Sequence, residues 1–400
     1  MDLLSGTPLW PARDGPMPAY PPLGDDARCD VAIVGAGVTG ACLADEFARA
    51  GWDVLVLDRR PAGSGSTAGS TGLLQYELDT SLVELAGRIG ESPAARCYHL
   101  CAEAVGRIGE LAARLPWPCG FRRRASLCGA RTRREEEQLR AEGELRRRHG
   151  FEVEFWGRGR LEAAGTLPFR AALLTRPAAE IDTHAFTHAL LAAAAGRGAR
   201  IHGETAVRDY RAHGPGVRLR TAGGLEVSAR RLVVAAGYEM QPVVRPRLSW
   251  LVSTYTVASE PVGDFPGWPG RCLVWEAARP YYYLRTTGDG RAIIGGADTP
   301  YRGAAHRDRE LPARRRRLCA RFRRMFPGIP FTPAFAWAGT FATTRDGLPY
   351  IGAHPALPHA WFALGYGGNG IPFAVVAAGI IRRLCEGRRA ADADLFRFGR

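Results

Sequence analysis

The sequence contains no lysine; all 54 of its basic residues are arginine. That absence excludes a lysine Schiff base, and with it pyridoxal-phosphate chemistry. It also excludes a Walker-type phosphate loop, which needs its lysine. Long hydrophobic runs are missing as well. The most apolar stretches are ALLAAAA at 189–195 and AVVAAGII at 374–381. Neither approaches the roughly 18 to 20 residues that span a bilayer. The first residues, MDLLSGTPLWPARDG, have neither the basic start nor the apolar stretch of a secretory signal. The nine cysteines are odd in number and include no C-x-x-C pair. Without an export signal they argue against a disulfide framework and for the reducing cytoplasm.

What remains is an ordinary globular composition. The chain has 400 residues, 46% apolar and 24% charged, enough for two or three domain-sized units and a sizeable core. The net charge of +14 invites a nucleic-acid reading. The arginine clusters Arg122–Arg124, Arg146–Arg148 and Arg314–Arg317 are scattered over amphipathic helices and turns. They read as a solvated face, so no nucleic-acid partner is expected. Weak attraction to an anionic membrane surface or an acidic partner stays open. His184 and His188 share a helix face, but no Glu lies between them and no third ligand is evident, so no metal site is expected. Cys97 and Cys101 read as small core residues.

Along the chain, residues 1–27 carry six prolines and read as an extended arm. Val31–Val34 is a buried strand entering a glycine turn, followed by a helix from Val38 to Ala50 that stops at Gly51. A second strand, Val54–Leu57, ends at Asp58. The stretch 63–75, GSGSTAGSTGLLQ, is neither helical nor a good strand. A helical hairpin over 80–115, a strand over 121–130, a charged helix over 133–150 and an edge strand over 151–157 follow. A helix over 180–195 has Asp182 near its N-cap. Short strands then lead to RRLVVAAGYE at 230–239. The stretch 248–300 is strand-rich, with Asp289-Gly290 as a hairpin signal. An arginine-rich helix over 310–325 and a helix from Ile371 to Cys385 complete the pattern. Helix–strand alternation at both ends, with antiparallel strands between, predicts an α/β fold: a Rossmann-like domain with an inserted antiparallel-sheet domain.

Gly35-x-Gly37-x-x-Gly40 follows an apolar strand and opens a helix, as a dinucleotide fingerprint requires. Gly35 permits the tight turn, Gly37 lets the backbone approach a pyrophosphate, and Gly40 packs helix on strand. With Ala36, Val38 and Thr39 they present the helix N-terminus to phosphates. Asp58 lies 21 residues after Gly37, where it can accept hydrogen bonds from an adenosine ribose, with Arg59 beside it. Further glycine turns far downstream point to a long, two-headed cofactor, FAD rather than NAD. Its expected contacts are Ser66, Thr67, Ser70, Thr71, Gly72 and Leu73 of the glycine-serine loop. Val207, Ala236, Gly237 and Gly339 follow, and then Gly367, Gly368, Asn369, Gly370 and Ile371. Pro372 sits in the first turn of the last helix, where no N–H is needed. The N-terminus of that helix would stabilise an anion on the flavin N1/C2 oxygen edge.

These motifs, DVAIVGAGVTG with VLVLD, GSTAGSTGLLQ, LVVAAGYE, RDGLPYIG and GYGGNGIPF, cover nearly the whole chain. It resembles the D-amino-acid oxidase superfamily of FAD-dependent oxidoreductases, which includes glycine oxidase, sarcosine oxidase and D-amino-acid dehydrogenase. The Pro-rich arm is similar to that of gamma-glutamylputrescine oxidase-like members. The resemblance implies an FAD-binding domain from segments 28–95, 170–247 and 338–400, and a substrate-binding domain from 96–169 and 248–337. It implies hydride transfer to flavin N5 from an amine or amino acid, and an imine that hydrolyses. It places a substrate-binding tyrosine at Tyr281; by strand alternation Tyr283 and Arg285 share that face, and the three form the expected catalytic set.

The chain also departs from the pattern. Where amino-acid-oxidising members carry a carboxylate-clamping arginine, it has Phe341. Either Arg279, Arg285 or Arg345 takes that role, or the substrate has no carboxylate there. No cysteine lies where sarcosine oxidase-like members attach flavin, so noncovalent FAD is expected. No lysine is available for oxygen activation near GIPF, which favours a dehydrogenase over an oxidase. Competing readings keep the flavin: a hydroxy acid or polyol substrate, or a flavin-binding subunit without its own turnover. Substrate identity, electron acceptor and oligomeric state are not written in the motifs.

Overall fold

Val31, Ile33, Val54 and Val56 alternate with Ala32, Leu55 and Leu57 along two adjacent parallel strands, Ala27–Val34 and Val54–Leu57. Both faces are apolar, so both must be covered. The first set packs on the helices Val38–Arg49 and Gly370–Cys385, through Phe47, Val375 and Ile381. The second packs with Leu219, Leu232 and Phe362. The computed structural model describes residues 2–165, 167–240, 248–355 and 357–400. Among these, the two strands sit centrally in a sheet ordered Tyr350–His354, Leu357–Leu364, Glu226–Val234, Ala27–Val34, Val54–Leu57 and Arg200–His202. All neighbours pair in parallel except the first two. The hairpin Val207–His213 and Gly216–Thr221 extends from Glu226–Val234. The expected short strand LEVSA and the apolar strand after it are one continuous element.

The second sheet is larger. Its order is Leu4–Gly6, Pro333–Thr344, Ser249–Ser259, Ala292–Pro300, Tyr282–Thr286, Leu273–Glu276, Arg122–Ala130, Ala171–Glu180 and Leu73–Gln75. Glu152–Trp156 also pairs with Ala171–Glu180, as an edge strand. One face is covered by the helix Ala304–Met325, with Leu318, Phe322 and Met325 against Tyr255, Val257 and Ile294. The opposite face carries Thr254, Trp275 and Tyr283, and it is turned toward a cavity between the sheets. The predicted α/β architecture, a parallel sheet with an antiparallel partner, is therefore what the chain builds.

Several boundaries move. The arm over 1–27 is not simply extended: Leu4–Gly6 pairs with Pro333–Thr344, and Leu9–Asp14 is a short helix. Leu9 and Trp10 are fully buried there, an anchoring that proline counting does not register. The segments 28–95, 170–247 and 338–400 do not map onto one sheet. Leu73–Gln75, Ala171–Glu180 and the second half of Pro333–Thr344 all belong to the larger sheet. The boundary at 95/96 falls inside the helix Glu91–Ala112. Their pairing partners are distant in sequence, so local periodicity could not place them. The boundary at 247/248 falls at the edge of 241–247, which lie outside the described residues. The short helix Arg158–Ala164 was not expected, and the arginine-rich helix begins at Ala304 rather than 310.

All nine cysteines are buried free thiols. No helix among the described residues is long and apolar enough to cross a membrane, and no group of three metal-ligating side chains occurs among them. His184 and His188 are buried with their rings 4.6 Å apart; burial, then His184, pulls His188 down to about 4.

The arm is held by Trp10, whose indole N–H donates to the Ser70 carbonyl and whose ring lies 5.4 Å from the Arg285 guanidinium. Trp10→Ala should cost about 3–5 kcal/mol, read as a lower urea midpoint of unfolding at unchanged slope. A loss below about 1 kcal/mol would show that the arm does not contribute to the core.

Candidate functional site

The two sheets face each other across one cavity of about 480 Å³. It opens beyond the carboxyl ends of the parallel strands, at Val34, Leu57, Ala235 and Ala363. The chain runs from Ala27–Val34 to neighbours on opposite sides, Val54–Leu57 and Glu226–Val234. This is the crevice where open α/β sheets bind ligands. The cavity reaches across to Thr254, Trp275, Tyr283 and Asp298 of the larger sheet.

The glycine fingerprint has the close backbone approaches its spacing suggests. Gly35 takes a φ of +114°, and a Cβ there would lie 2.4 Å from the Ala235 carbonyl oxygen. Any side chain would push the two strands apart. At Gly40 a Cβ would lie 1.7 Å from the Gly35 carbonyl oxygen, so only glycine lets the helix start so close to the strand. At Gly37 the sole close neighbour of a Cβ is Thr67 Oγ1 at 3.0 Å. The space beyond is cavity, a backbone surface that a phosphate can approach. The Val38 N–H donates to Thr67 Oγ1 at 3.0 Å. The next N–H groups of the first turn have no intrahelical acceptor and suit an anion.

Asp58 ends its strand at the cavity wall. It accepts from the Ala36 N–H at 2.7 Å and the Arg60 N–H at 2.8 Å. Burial raises its pKa; the two N–H groups oppose that rise. Beside it, Glu239 bonds both Arg59 and Arg60, and burial is outweighed so that Glu239 is held low. Val207, Ala236 and Gly237 complete this end.

The loop with Ser66, Thr67, Ser70, Thr71, Gly72 and Leu73 runs along the cavity. Ser66 Oγ donates to the Thr340 carbonyl, and Trp337 donates to the Gly69 carbonyl at 2.9 Å. Gly339 lies on the opposite wall. Gly367, Gly368, Asn369, Gly370 and Ile371 form the entry to the last helix and also line the cavity. Asn369 is the N-cap residue, yet its side chain makes no cap bond. Its amide donates instead to the carbonyls of Gln75 and Glu77, at 3.0 and 2.9 Å. The first N–H groups of this helix therefore stay directed at the cavity end. Of the cofactor contacts expected from sequence, only Ala36 and Gly40 lie behind the lining rather than in it.

The residues expected to act on substrate divide. Tyr281 and Tyr283 both line the cavity, with ring centroids 6.0 Å apart and Trp275 6.1 Å from Tyr281. Tyr281 donates to Asp79 Oδ1 at 2.7 Å; Tyr283 OH lies 3.4 Å from Thr254 Oγ1. Gly295 makes room for Tyr283, whose ring lies 2.2 Å from where a Cβ would sit. Arg285 is on the same strand face but lies outside the cavity lining. Its guanidinium is 2% exposed and donates to the carbonyls of Thr71, Gly72, Ile181 and Thr286 at 2.8–2.9 Å. Alternation fixes a face, not a depth, and here the loop lies between Arg285 and the cavity. Arg279 is engaged by Asp79, at 3.6 Å. Phe341 lines the cavity where a carboxylate clamp was sought.

Sequence reading missed Asp79, Thr254, Trp275, Tyr238, Tyr366 and Asp298, all on the wall. For Asp298 there was a signal, two glycines inside a strand just before it, which mark a bulge.

Two helix N-termini, a bare glycine backbone and a strand-end carboxylate along one cavity suit a dinucleotide that spans both sheets. Asp58→Ala should weaken cofactor affinity about tenfold to hundredfold, the worth of a lost charge-assisted hydrogen bond. The check is titration of the apoprotein with FAD, together with the flavin retained per chain after dialysis. Unchanged affinity would remove Asp58 from the cofactor site.

A family model described as FAD dependent oxidoreductase (DAO) matches residues 30–384. Glycine oxidase of Geobacillus kaustophilus is 29% identical over 372 residues, 91% of this chain and 94% of that one. Gamma-glutamylputrescine oxidoreductase of Escherichia coli is 26% identical over 388 residues, covering 94% and 86%. The crystal structure of the G. kaustophilus glycine oxidase matches in fold with a TM-score of 0.77 at 23% identity, over 91% of this chain and 96% of that one. The match in family runs from the first parallel strand through the last helix, the elements that build the cavity. The chain therefore belongs to the DAO family of FAD-dependent oxidoreductases, and FAD is its cofactor.

Proposed function

We propose that this enzyme oxidises the C–N bond of an amine or amino acid to an imine, which water then hydrolyses. The observation that supports this most directly is the continuity of the cavity from the glycine cradle to the chamber walled by Trp275, Tyr281 and Tyr283. Relatives named for glycine and for gamma-glutamylputrescine support a nitrogen-bearing substrate. Bound FAD supplies the acceptor for the hydride that leaves the carbon next to nitrogen.

The chain's own contribution is positioning. Burial, then the Asp79 charge, lifts the Tyr281 phenol well above its ordinary range. Burial, with the negative charge of Asp298, pushes the Tyr283 phenol up to about 12. Both stay protonated near neutrality, so neither is a general base. They wall the chamber and donate hydrogen bonds. Asp79 ties this wall to the cofactor turn, accepting from Tyr281 OH and from the Gly368 N–H at 2.8 Å. A substrate pressed against the aromatic wall is thereby held in register with the turn that precedes the last helix. Arg285 acts behind the wall, fixing the loop.

The amine must be neutral for its lone pair to assist loss of hydride. Activity should rise with pH toward roughly 10, where alkylammonium groups deprotonate. A rate that falls steadily from neutral to alkaline pH would count against the mechanism. The broader test is anaerobic: pooled amines and amino acids are added to the holoenzyme and the flavin colour is followed. Bleaching by one pool is expected. No bleaching by any of them, with bleaching by a hydroxy acid or polyol, would overturn the reading.

The acceptor is proposed to be something other than oxygen. Among the described residues lining the cavity, the cations are Arg59 and Arg60, both bonded to Glu239 at the Asp58 end. Ile371, Pro372 and Phe373, beside the cofactor turn, are apolar. Oxygen reduction is fastest where a cation stabilises the developing anion. Photoreduced enzyme should be reoxidised by a soluble quinone at least about tenfold faster than by air-saturated buffer, a difference of one logarithmic unit in rate. Equal rates would make it an oxidase.

A further inference from the structure

The strand Ala292–Pro300 is not regular. Gly296 stands opposite Tyr255 and Thr299 opposite Ser253, so Ala297 and Asp298 together face the single residue Thr254. The bulge is built on two left-handed residues, Gly296 at φ +122° and Ala297 at φ +56°. Left-handed alanine is uncommon and bulges of this kind re-aim a side chain. The side chain re-aimed here is Asp298, which lines the cavity.

Asp298 is an expensive residue to keep there. Its Oδ1 is shut off from solvent and has no hydrogen-bond partner. No ion pair reaches it among the described residues. The nearest cation, Arg279, is bonded to Asp79 through its backbone carbonyl and its carboxylate. Asp79 is itself satisfied by Tyr281 and Gly368. The carboxylate is half-buried, with one oxygen shut off and unpartnered; that oxygen is disfavoured as an anion, and a cationic ligand would supply what it lacks. Its surroundings fit a cation. Trp275, Tyr281 and Tyr283 line the same chamber, and aromatic faces attract desolvated ammonium groups. A carboxylate would find no such welcome. Phe341 stands on the sheet face shared by Thr254 and Gly339, and the two cations of the lining are engaged at the other end.

The charged nitrogen cannot be the reacting one. A carboxylate paired with the reacting ammonium would hold the proton that must leave before oxidation. Resting on the reading of the enzyme as an amine oxidoreductase, we propose that Asp298 and the Trp275–Tyr281–Tyr283 wall bind a second, non-reacting positive nitrogen, so that the substrate is a diamine-type cation without a carboxylate at Phe341. Asp298 then sets substrate choice rather than the chemical step.

The test separates binding from turnover. Tetramethylammonium has no lone pair to assist oxidation and does not titrate, so it reports the site alone. The holoenzyme is titrated with tetramethylammonium chloride and, separately, with sodium acetate, while the visible flavin spectrum is followed. A saturable change with the cation and none with acetate is expected. Burial, aided by the Asp79 charge and opposed by Thr254 and Arg279, brings Asp298 to about 6. The phenols of Tyr281 and Tyr283 do not titrate in that range. Affinity for the cation should therefore rise as pH passes upward through about 6, then level off. Asp298→Asn should weaken cation binding at least about tenfold and remove the pH dependence, with FAD content unchanged. Saturable binding of acetate in place of the cation, or cation binding untouched by pH and by Asp298→Asn, overturns the proposal. The wild-type pH titration stands even if the variant does not fold.

Turnover supplies the second arm. Butane-1,4-diamine should be oxidised with a kcat/KM at least about tenfold above that of butylamine, through KM, and Asp298→Asn should erase the gap. Equal values in the wild type overturn the proposal while amine oxidation stands. If tetramethylammonium binds through Asp298 but no amine is oxidised, the proposed reaction fails and the cation site survives.

Discussion

The guanidinium of Arg285 is the contact on which the joint between the two sheets depends. It is buried, and burial pulls its pKa down to about 10, with Glu180 opposing; it is therefore still charged at neutral pH. A charge in that position is tolerated only if its donors are used. Nε and one Nη are, on the carbonyls of Thr71, Gly72, Ile181 and Thr286, and the other Nη lies 3.9 Å from Glu180. Three of these carbonyls belong to segments that must meet: the glycine-serine loop that runs along the cavity and the turn after Ala171–Glu180. Gly72 permits the meeting, since a Cβ there would lie 2.1 Å from the Ile181 carbonyl oxygen. Trp10 covers the clamp from the arm side and Trp337 from the larger sheet. The loop is thus fixed by side chains from three distant parts of the chain, although its own composition has little preference for any regular structure.

With the loop fixed, the rest of the cavity follows from two close approaches. Gly35 brings the fingerprint turn against Ala235, which sets the mouth of the parallel sheet. Gly295 lets the Tyr283 ring lie flat on its neighbouring strand, which sets the wall of the antiparallel sheet. Between them Asn369 spends its side chain on Gln75 and Glu77 rather than on its own helix. The last helix is thereby docked to the loop, and its first N–H groups are left for a ligand. Each of these devices trades a local preference for a long-range contact, as sites commonly do.

This explains what could be read from the sequence and what could not. The strand, glycine turn, helix and Asp58 were legible because their chemistry is local: a period, a spacing and a strand-end acid. Gly367–Ile371 was legible for the same reason. Arg285 was misplaced because alternation along a strand is blind to what covers the strand. The arm was misjudged because two residues, Leu9 and Trp10, outweigh six prolines once they are buried. The segment boundaries cut across strands that pair over long stretches of chain, more than a hundred residues for Ala171–Glu180 with Leu73–Gln75 and more than seventy for Ser249–Ser259 with Pro333–Thr344. Asp298 was hidden by a two-residue bulge, which reverses the face that alternation would assign.

The charge pattern of the cavity is asymmetric, and the asymmetry carries functional meaning. At the Asp58 end Glu239 is balanced by Arg59 and Arg60, and Asp58 by backbone N–H groups. Two helix N-termini add partial positive charge, which suits pyrophosphate and an electron-rich ring. At the opposite end Asp79 is balanced by Arg279 and Tyr281, whereas Asp298 keeps one carboxylate oxygen without a hydrogen-bond partner and makes no ion pair among the described residues. A cavity that solvates anions at one end and leaves an anion unsolvated at the other selects what enters each. An incoming carboxylate would add negative charge beside Asp79 and Asp298 and find the hydroxyls of Tyr281, Tyr283 and Thr254 rather than a cation in the lining at that end. An incoming cation would discharge the chamber and restore the missing partner of Asp298. On the proposed reading the chamber is preorganised for a cationic ligand, with the apolar Phe341 on its wall.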